Sequence, residues 1–193
     1  MSLPVVIVLA AGRSARFRAA AQGQHKLEAT LGERTVLQTV LDTVAASGLP
    51  WHLVDAAQMA DRPQAGMGDS LARGVAATAD APGWLILPAD LPLVQTATLR
   101  RVAQALQQHP VVVPEFQGQR GHPVGFAAVC GAALQALHGD VGAQSVLAAH
   151  APVHRIAVDD EGCVLDVDTP EALQAARALW QQRRAAARVL NAR

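Results

Sequence analysis

Tyrosine is absent from the 193 residues, and Phe and Trp contribute only three each. Lysine occurs once, as Lys26, against 15 arginines. The two cysteines, Cys130 and Cys163, lie 33 positions apart with no Cys-x-x-Cys pair. That pattern gives neither a zinc site nor a disulfide framework, and it suits a reducing cytoplasm. Charged residues make up 17% of the chain, and 16 basic side chains cancel 16 acidic ones. Binding to a nucleic-acid backbone draws on a basic surplus, so this balance argues against a nucleic-acid partner. Long apolar runs are missing as well. The longest, Leu3–Ala11 and Trp84–Val94, fall far short of the roughly 18 residues that a membrane helix needs. The first ends in Ala-Ala-Gly like a signal peptide, but Arg13, Arg16 and Arg18 follow it instead of preceding it. The expectation is one cytoplasmic domain over residues 1–193, with no membrane partner. At this length a chain buries roughly 70% of its unfolded surface, enough for a core without staples.

What the chain does have is alanine, 40 residues of it, and short apolar runs alternating with helical periodicity. That alternation predicts an α/β fold with a mainly parallel sheet. Val5–Leu9 is continuous and largely β-branched, as a strand buried on both faces should be. Further strands are expected at Trp51–Val54, Trp84–Leu87, Val111–Val113, Val124–Ala127 and Val153–Val158. Helices are expected around Val36–Val44, Leu71–Ala79, Leu99–Leu106, Ala132–Leu137 and Ala143–Ala149. A last helix starts with Thr169 as cap, Pro170 at the first position and Glu171 in the first turn. It is expected to run to about Ala187, leaving residues 188–193 as a solvated tail.

Several positions can carry chemistry. The first strand runs into Ala10-Ala11-Gly12-Arg13-Ser14-Ala15-Arg16, a small-residue turn with arginines. Small residues at the end of a central strand admit a ligand to the backbone, and N–H groups with Arg hold phosphate oxygens. An ordinary strand-to-helix turn reads the same way. There is no G-x-G-x-x-G and no G-x-x-x-x-G-K-[S/T]. Lys26 follows this turn as a point charge on a long stem, suited to gripping and releasing a phosphate, or else as a lone surface lysine. Asp90 follows the apolar run Trp84–Leu87, where open α/β sheets bind ligands. One or two such carboxylates plus phosphate oxygens satisfy magnesium, although an Asp between prolines also forms turns.

Asp168 is a second metal-ligand candidate because Thr169 already serves as the cap. Asp166 points to the same side if the segment is extended. A solvated loop accounts for either equally well. Gly66-Met67-Gly68-Asp69-Ser70-Leu71 opens a helix whose free N–H groups, with the Ser70 hydroxyl, can meet a base or ribose. His122, in Gly121-His122-Pro123, either contacts a second substrate or braces a turn. His150 and His154 have helical metal spacing, but Pro152 between them breaks the helix.

These segments, in this order, resemble the MobA-like nucleotidyltransferases, and most closely the molybdenum cofactor cytidylyltransferases. The match runs from about Val5 to Leu179. It is carried by Leu9–Arg16, Gly66–Leu71, Ala89-Asp90-Leu91-Pro92, Gly121–Val124 and Asp166–Glu171. The resemblance implies a three-layer α/β/α Rossmann-like fold. It also implies magnesium-dependent transfer of CMP from CTP to the phosphate of molybdopterin, with release of pyrophosphate, and a molybdoenzyme as recipient of the product. Arg16 and Lys26 match the family's basic residues on the triphosphate, Asp90 its metal-binding Asp, and Asp168 a late Asp completing the metal site. Leu9, Ala10, Ala11, Gly12, Arg13, Gly66, Gly68 and Ser70 match its nucleotide-binding segments, and His122 falls in the segment for the second substrate. Ala10-Ala11-Gly12 resembles the pyrimidine-nucleotide users, where guanylyltransferases carry Ala-Gly-Gly.

Three features depart from the family pattern. The stretch between Arg16 and Lys26 is long. Trp51–Val54 arrives so soon that the sheet is expected to be one strand short. Gly139-Asp140-Val141-Gly142-Ala143-Gln144 ends in Gln where the family has Arg. A guanylyltransferase, a sugar-phosphate nucleotidyltransferase and a non-catalytic nucleotide-binding or cofactor-delivery protein are the competing readings.

Overall fold

A computed structural model describes residues 2–191 except Arg13, Gln22 and Pro63, with no account of the side chains of Leu190 and Asn191. In chain order come β1 (Val5–Leu9), α1 (Ala15–Ala20), β2 (Thr30–Leu31), β3 (Arg34–Thr35), α2 (Val36–Ala46) and β4 (Trp51–Val54). They are followed by α3 (Met67–Ala77), β5 (Gly83–Pro88), α4 (Thr96–Ala105), β6 (Val111–Phe116), β7 (Gln119–Arg120) and β8 (Val124–Ala127). The chain closes with α5 (Gly131–Gln135), α6 (Gln144–Ala149), β9 (His154–Ala157) and α7 (Pro170–Asn191).

The β-branched run of β1 forms a central strand, with Val6, Ile7 and Val8 fully buried. It pairs in parallel with β4 on one side and β5 on the other. Beyond β5 lies β8, antiparallel to both β5 and β6, and β6 pairs in parallel with β9 on its far side. Strand alternation sends side chains to opposite faces, so the sheet supplies two cores. Val6, Val8, Leu85 and Leu87 pack with α2, α4 and α7, whereas Ile7, Trp84 and Ile86 pack with α3, α5 and α6. The result is a three-layer α/β/α domain with a mostly parallel seven-stranded sheet. β4 is its edge, and residues 55–66 add no further strand among the described residues.

Several element ends shift by one to four residues from expectation, and three differences have a clear cause. α3 begins at Met67, four residues before the apolar pattern starts, because Asp69 accepts the Gly66 N–H at 2.9 Å and closes the first turn over two glycines. α7 starts as expected, with Thr169 Oγ1 accepting the Ala172 N–H at 3.2 Å. It then continues to Asn191, so the expected tail is helical as far as that residue, and residues 192–193 lie outside the described set. Ala-rich sequence with Arg188 near the negative helix end favours that continuation. The third difference is the β2–β3 hairpin, two residues a side, which binds α7. Gly32 in its turn has φ +66°, and a Cβ there would stand 2.3 Å from the Trp180 ring.

Candidate active site

A cavity of about 540 Å³ opens at the carboxyl ends of β1 and β5. Its floor is apolar, made by Leu9, Pro88 and the buried pair Phe17 and Leu27. One wall is the turn after β1, with Ala10, Ala11 and Gly12, and another is the start of α3, with Gly66, Met67 and Ser70. Arg16, Lys26, Asp90 and Asp168 converge between these walls. Arg13 lies outside the described residues.

The charged group is tightly arranged. Lys26 Nζ donates to Asp90 Oδ2 at 2.5 Å and to Asp168 Oδ1 at 2.5 Å, and an Arg16 nitrogen meets Asp168 Oδ2 at 2.6 Å. The side chains of Lys26, Asp90 and Asp168 are 14%, 17% and 22% exposed, whereas that of Arg16 is 80% exposed. Burial by itself would lower the Lys26 pKa, but the charges and hydrogen bonds of Asp90 and Asp168 outweigh it and raise the pKa above its ordinary value. The fold brings Asp168 here by pairing the Val167 N–H with the Asp90 carbonyl at 2.8 Å. Asp166, two residues before Asp168, is exposed and lies outside the cavity lining.

Two carboxylates that converge on one ammonium nitrogen also fit a hard divalent cation, which favours oxygen ligands. Among the described residues no group of three or more His, Cys, Asp or Glu is placed to hold such an ion alone. An ion held by Asp90 and Asp168 would therefore complete its shell with water or phosphate oxygens, as magnesium commonly does.

The remaining candidates separate. Ser70 lines the cavity, although its hydroxyl donates to the Gly66 carbonyl at 3.1 Å. Gly68 does not line it. A Cβ there would lie 2.6 Å from the Val141 carbonyl oxygen, and the Gly68 N–H donates to the Gly139 carbonyl at 2.8 Å. Gly68 thus packs α3 against the loop at residues 138–141. His122 also lies outside the lining; its N–H donates to the Cys163 carbonyl at 2.8 Å, and its Nδ1 is buried without a partner among the described residues. Burial pushes the His122 pKa below its ordinary value, against the opposing pull of the Ile86 backbone, Asp90 and Asp166.

Sequence reasoning passed over Asp69, Asp140 and His25. Asp69 accepts the N–H groups of Gly66 and Gly139 at 2.9 and 2.8 Å, which lowers its pKa and fixes the α3 wall. Asp140 lines the cavity beside Gly66; the Gly139-Asp140 motif was a signal for it. His25 touches the turn after β1, and no spacing pattern pointed to it.

The MobA-like NTP transferase domain matches residues 6–156 of the chain. The chain belongs to that family. It is therefore a nucleotidyltransferase by family. Rv0371c from Mycobacterium tuberculosis is similar, at 27% identity over 92% of this chain and 98% of that one, with a TM-score of 0.75. A structure of the same protein in complex with manganese matches at 24% identity, over 92% and 99% of the two chains, with a TM-score of 0.68. A nucleotidyl transferase from Methanothermobacter shares the fold at 19% identity and TM-score 0.80, covering 95% of this chain and all of that one. Molybdopterin-guanine dinucleotide biosynthesis protein A from Archaeoglobus fulgidus does so at 16% and 0.62, covering 92% and 99%. No curated protein matches the chain. In this member of the MobA-like family, no helix among the described residues is long and apolar enough to cross a membrane.

Proposed function

We propose that this MobA-like nucleotidyltransferase transfers CMP from CTP to the phosphate of molybdopterin, with magnesium. A molybdopterin phosphate oxygen attacks the α-phosphorus of CTP, the bond from that phosphorus to the β-phosphate bridging oxygen breaks, and pyrophosphate leaves. The observation that carries this reading is the convergence of Arg16, Lys26, Asp90 and Asp168 in one cavity at the strand ends. Phosphoryl-type transfer depends on positioning and charge neutralisation, and needs no protein nucleophile.

In this reading the Leu9–Gly12 backbone lets the nucleotide approach closely, with Arg13 as a further contact. Arg16 and Lys26 exchange their carboxylate partners for triphosphate oxygens. Asp90 and Asp168 would hold a magnesium ion, which when bound would neutralise charge on the phosphates. Gly66 and Ser70 face base and ribose, Gly68 sets their wall, and His122 braces the side where molybdopterin enters. The small Ala10-Ala11-Gly12 turn supports CTP over GTP. Two buried free cysteines suit a cytoplasmic setting, and a molybdoenzyme is the natural recipient of the dinucleotide cofactor.

The test is pyrophosphate release from each nucleoside triphosphate, with magnesium and with molybdopterin as acceptor. Turnover with CTP, lost in Asp90→Ala, is the expected result. Equal turnover with GTP overturns the nucleotide assignment. CTP binding without pyrophosphate release from any acceptor points instead to a nucleotide-binding or cofactor-delivery protein.

A further inference from the structure

The long stretch between Arg16 and Lys26 has to return to the β1 turn if Lys26 is to share a cavity with Gly12. One side chain closes that excursion. His25 Nε2 lies 3.0 Å from the Gly12 carbonyl oxygen and 3.0 Å from Ser14 Oγ. On the other side of the ring, Nδ1 accepts the Leu27 N–H at 3.3 Å and caps the 3-10 turn Lys26–Glu28. An imidazole nitrogen that accepts carries no proton, so the ring hydrogen sits on Nε2, where it can donate to the Gly12 carbonyl or the Ser14 hydroxyl.

Ser14 bears the mark of this contact. A serine before a helix ordinarily caps it, yet Ser14 makes no side-chain cap to α1 and its hydroxyl meets His25 instead. Its backbone is left-handed, with φ 53° and ψ 35°, a conformation uncommon for a residue with a Cβ. A carbonyl oxygen turned toward an anion repels it; held on an imidazole N–H, the Gly12 oxygen is kept from that role.

We infer that His25 is a positioning residue that ties the Gly12–Ser14 turn to the Lys26 turn and sets the spacing of a triphosphate cradle. The inference rests on the nucleotide reading above and adds to it a residue that touches neither metal nor phosphate. The two ring nitrogens can be tested apart. Asn at position 25 can place an acceptor near the Nδ1 position and cap Leu27, but is too short to reach Gly12. Gln can place a donor near Nε2 and reach Gly12, without the cap.

The experiment measures magnesium–CTP affinity by calorimetry, with melting temperature and amide hydrogen exchange, for wild type, His25→Asn and His25→Gln. The expected result is roughly five- to tenfold weaker CTP binding in His25→Asn, the scale of one lost hydrogen bond, with recovery in His25→Gln. Exchange over residues 12–20 should rise in His25→Asn while the melting temperature stays near wild type. Wild-type affinity in His25→Asn overturns the inference. So does an equal affinity loss in both variants accompanied by a lower melting temperature, which marks a structural brace only. If wild type binds no nucleoside triphosphate, the nucleotide reading fails. Unchanged exchange in His25→Asn would then overturn the tie itself, and faster exchange would uphold it.

Discussion

Lys26 Nζ and Asp90 Oδ2 lie 2.5 Å apart, although the two residues are 64 positions apart in the chain. The same ammonium lies 2.5 Å from Asp168. The chain's single lysine is thus the shared counter-charge of the two carboxylates suited to a divalent ion. Lys26→Ala should lower CTP turnover by roughly a hundredfold or more, the scale of removing a charge-stabilising donor from a transfer site. The same variant should bind free manganese more tightly than wild type, because Lys26 and the ion compete for one pair of oxygens. Steady-state kinetics and a manganese titration followed by electron paramagnetic resonance read the two effects. Weaker manganese binding would show that the carboxylates need Lys26 to stay together.

Asp168→Asn removes one of the two carboxylates and leaves the other, Asp90, on Lys26. Arg16 and Lys26 both contact Asp168, so the substitution removes a charge that both share. We expect turnover to fall at least tenfold and the magnesium requirement to shift to higher concentration. Asp166→Asn, outside the cavity, should leave both nearly unchanged. A magnesium titration of initial rates checks this, and a larger effect at Asp166 would reassign the ligand.

His122 gives the protein an acid dependence with a definite sign. Its folded-state pKa lies below the ordinary 6.5, chiefly through burial. Above 6.5 the imidazole is neutral in both folded and unfolded chains and contributes no pH dependence. As the pH falls through 6.5 the unfolded chain takes up the proton first, so stability declines until the folded-state pKa is passed. Urea melts between pH 7.5 and 5 should show that slope, and His122→Gln should flatten it. An unchanged slope in the variant would assign the dependence to another group.

The strands around this site were readable because their cause is local. Val5–Leu9 and Trp84–Leu87 are apolar runs without interruption, and the residues just past the carboxyl ends of such strands are where an open α/β sheet places its crevice. Asp90 was singled out on that ground and does line the cavity, whereas the Thr169-Pro170 helix start was read from its capping residues. His25, Asp69 and Asp160 were not found, because each acts on backbone groups brought near by folding. No period in the sequence encodes those meetings. The β2–β3 hairpin escaped for a related reason: with two residues in each strand it has no alternation to detect, and it depends on Trp180 and Arg177 of α7 for its place. Gly68 was placed with the nucleotide because Gly-x-Gly signals close approach, and the approach turned out to be by the 138–141 loop.

Gly68→Ala follows from that placement. Its Cβ would meet the carbonyl oxygens of Val141 and His138 at 2.6 and 2.9 Å, and neither is the flexible end of a side chain. The cost should be roughly 1–3 kcal/mol, the scale of overpacking in a close-packed region. Differential scanning calorimetry should show a lower melting temperature, and CTP binding should weaken because the α3 wall moves. An alanine variant that melts like wild type would mean the loop yields freely.

Asp160 holds the far side of the molecule together and provides a stability test that leaves the cavity untouched. Its carboxylate is 2% exposed. It accepts the Gln95 N–H at 2.8 Å, the Thr98 hydroxyl at 2.7 Å, the Gly162 N–H at 3.1 Å and an Arg183 N–H at 3.0 Å. One side chain thereby caps α4, shapes the turn before Asp166 and pins α7 across them. Removing one member of such a buried charge pair typically costs about 3–5 kcal/mol, because the other groups lose their partner. Arg183 is partly exposed and can turn to water, so Asp160→Ala should fall near the lower figure. For a chain of this size that corresponds to a melting temperature roughly 6–12 °C lower. CTP affinity measured well below the transition should stay close to wild type, because none of these groups lines the cavity. A large loss of affinity without a fall in melting temperature would reverse the assignment, making Asp160 part of the site and not its support.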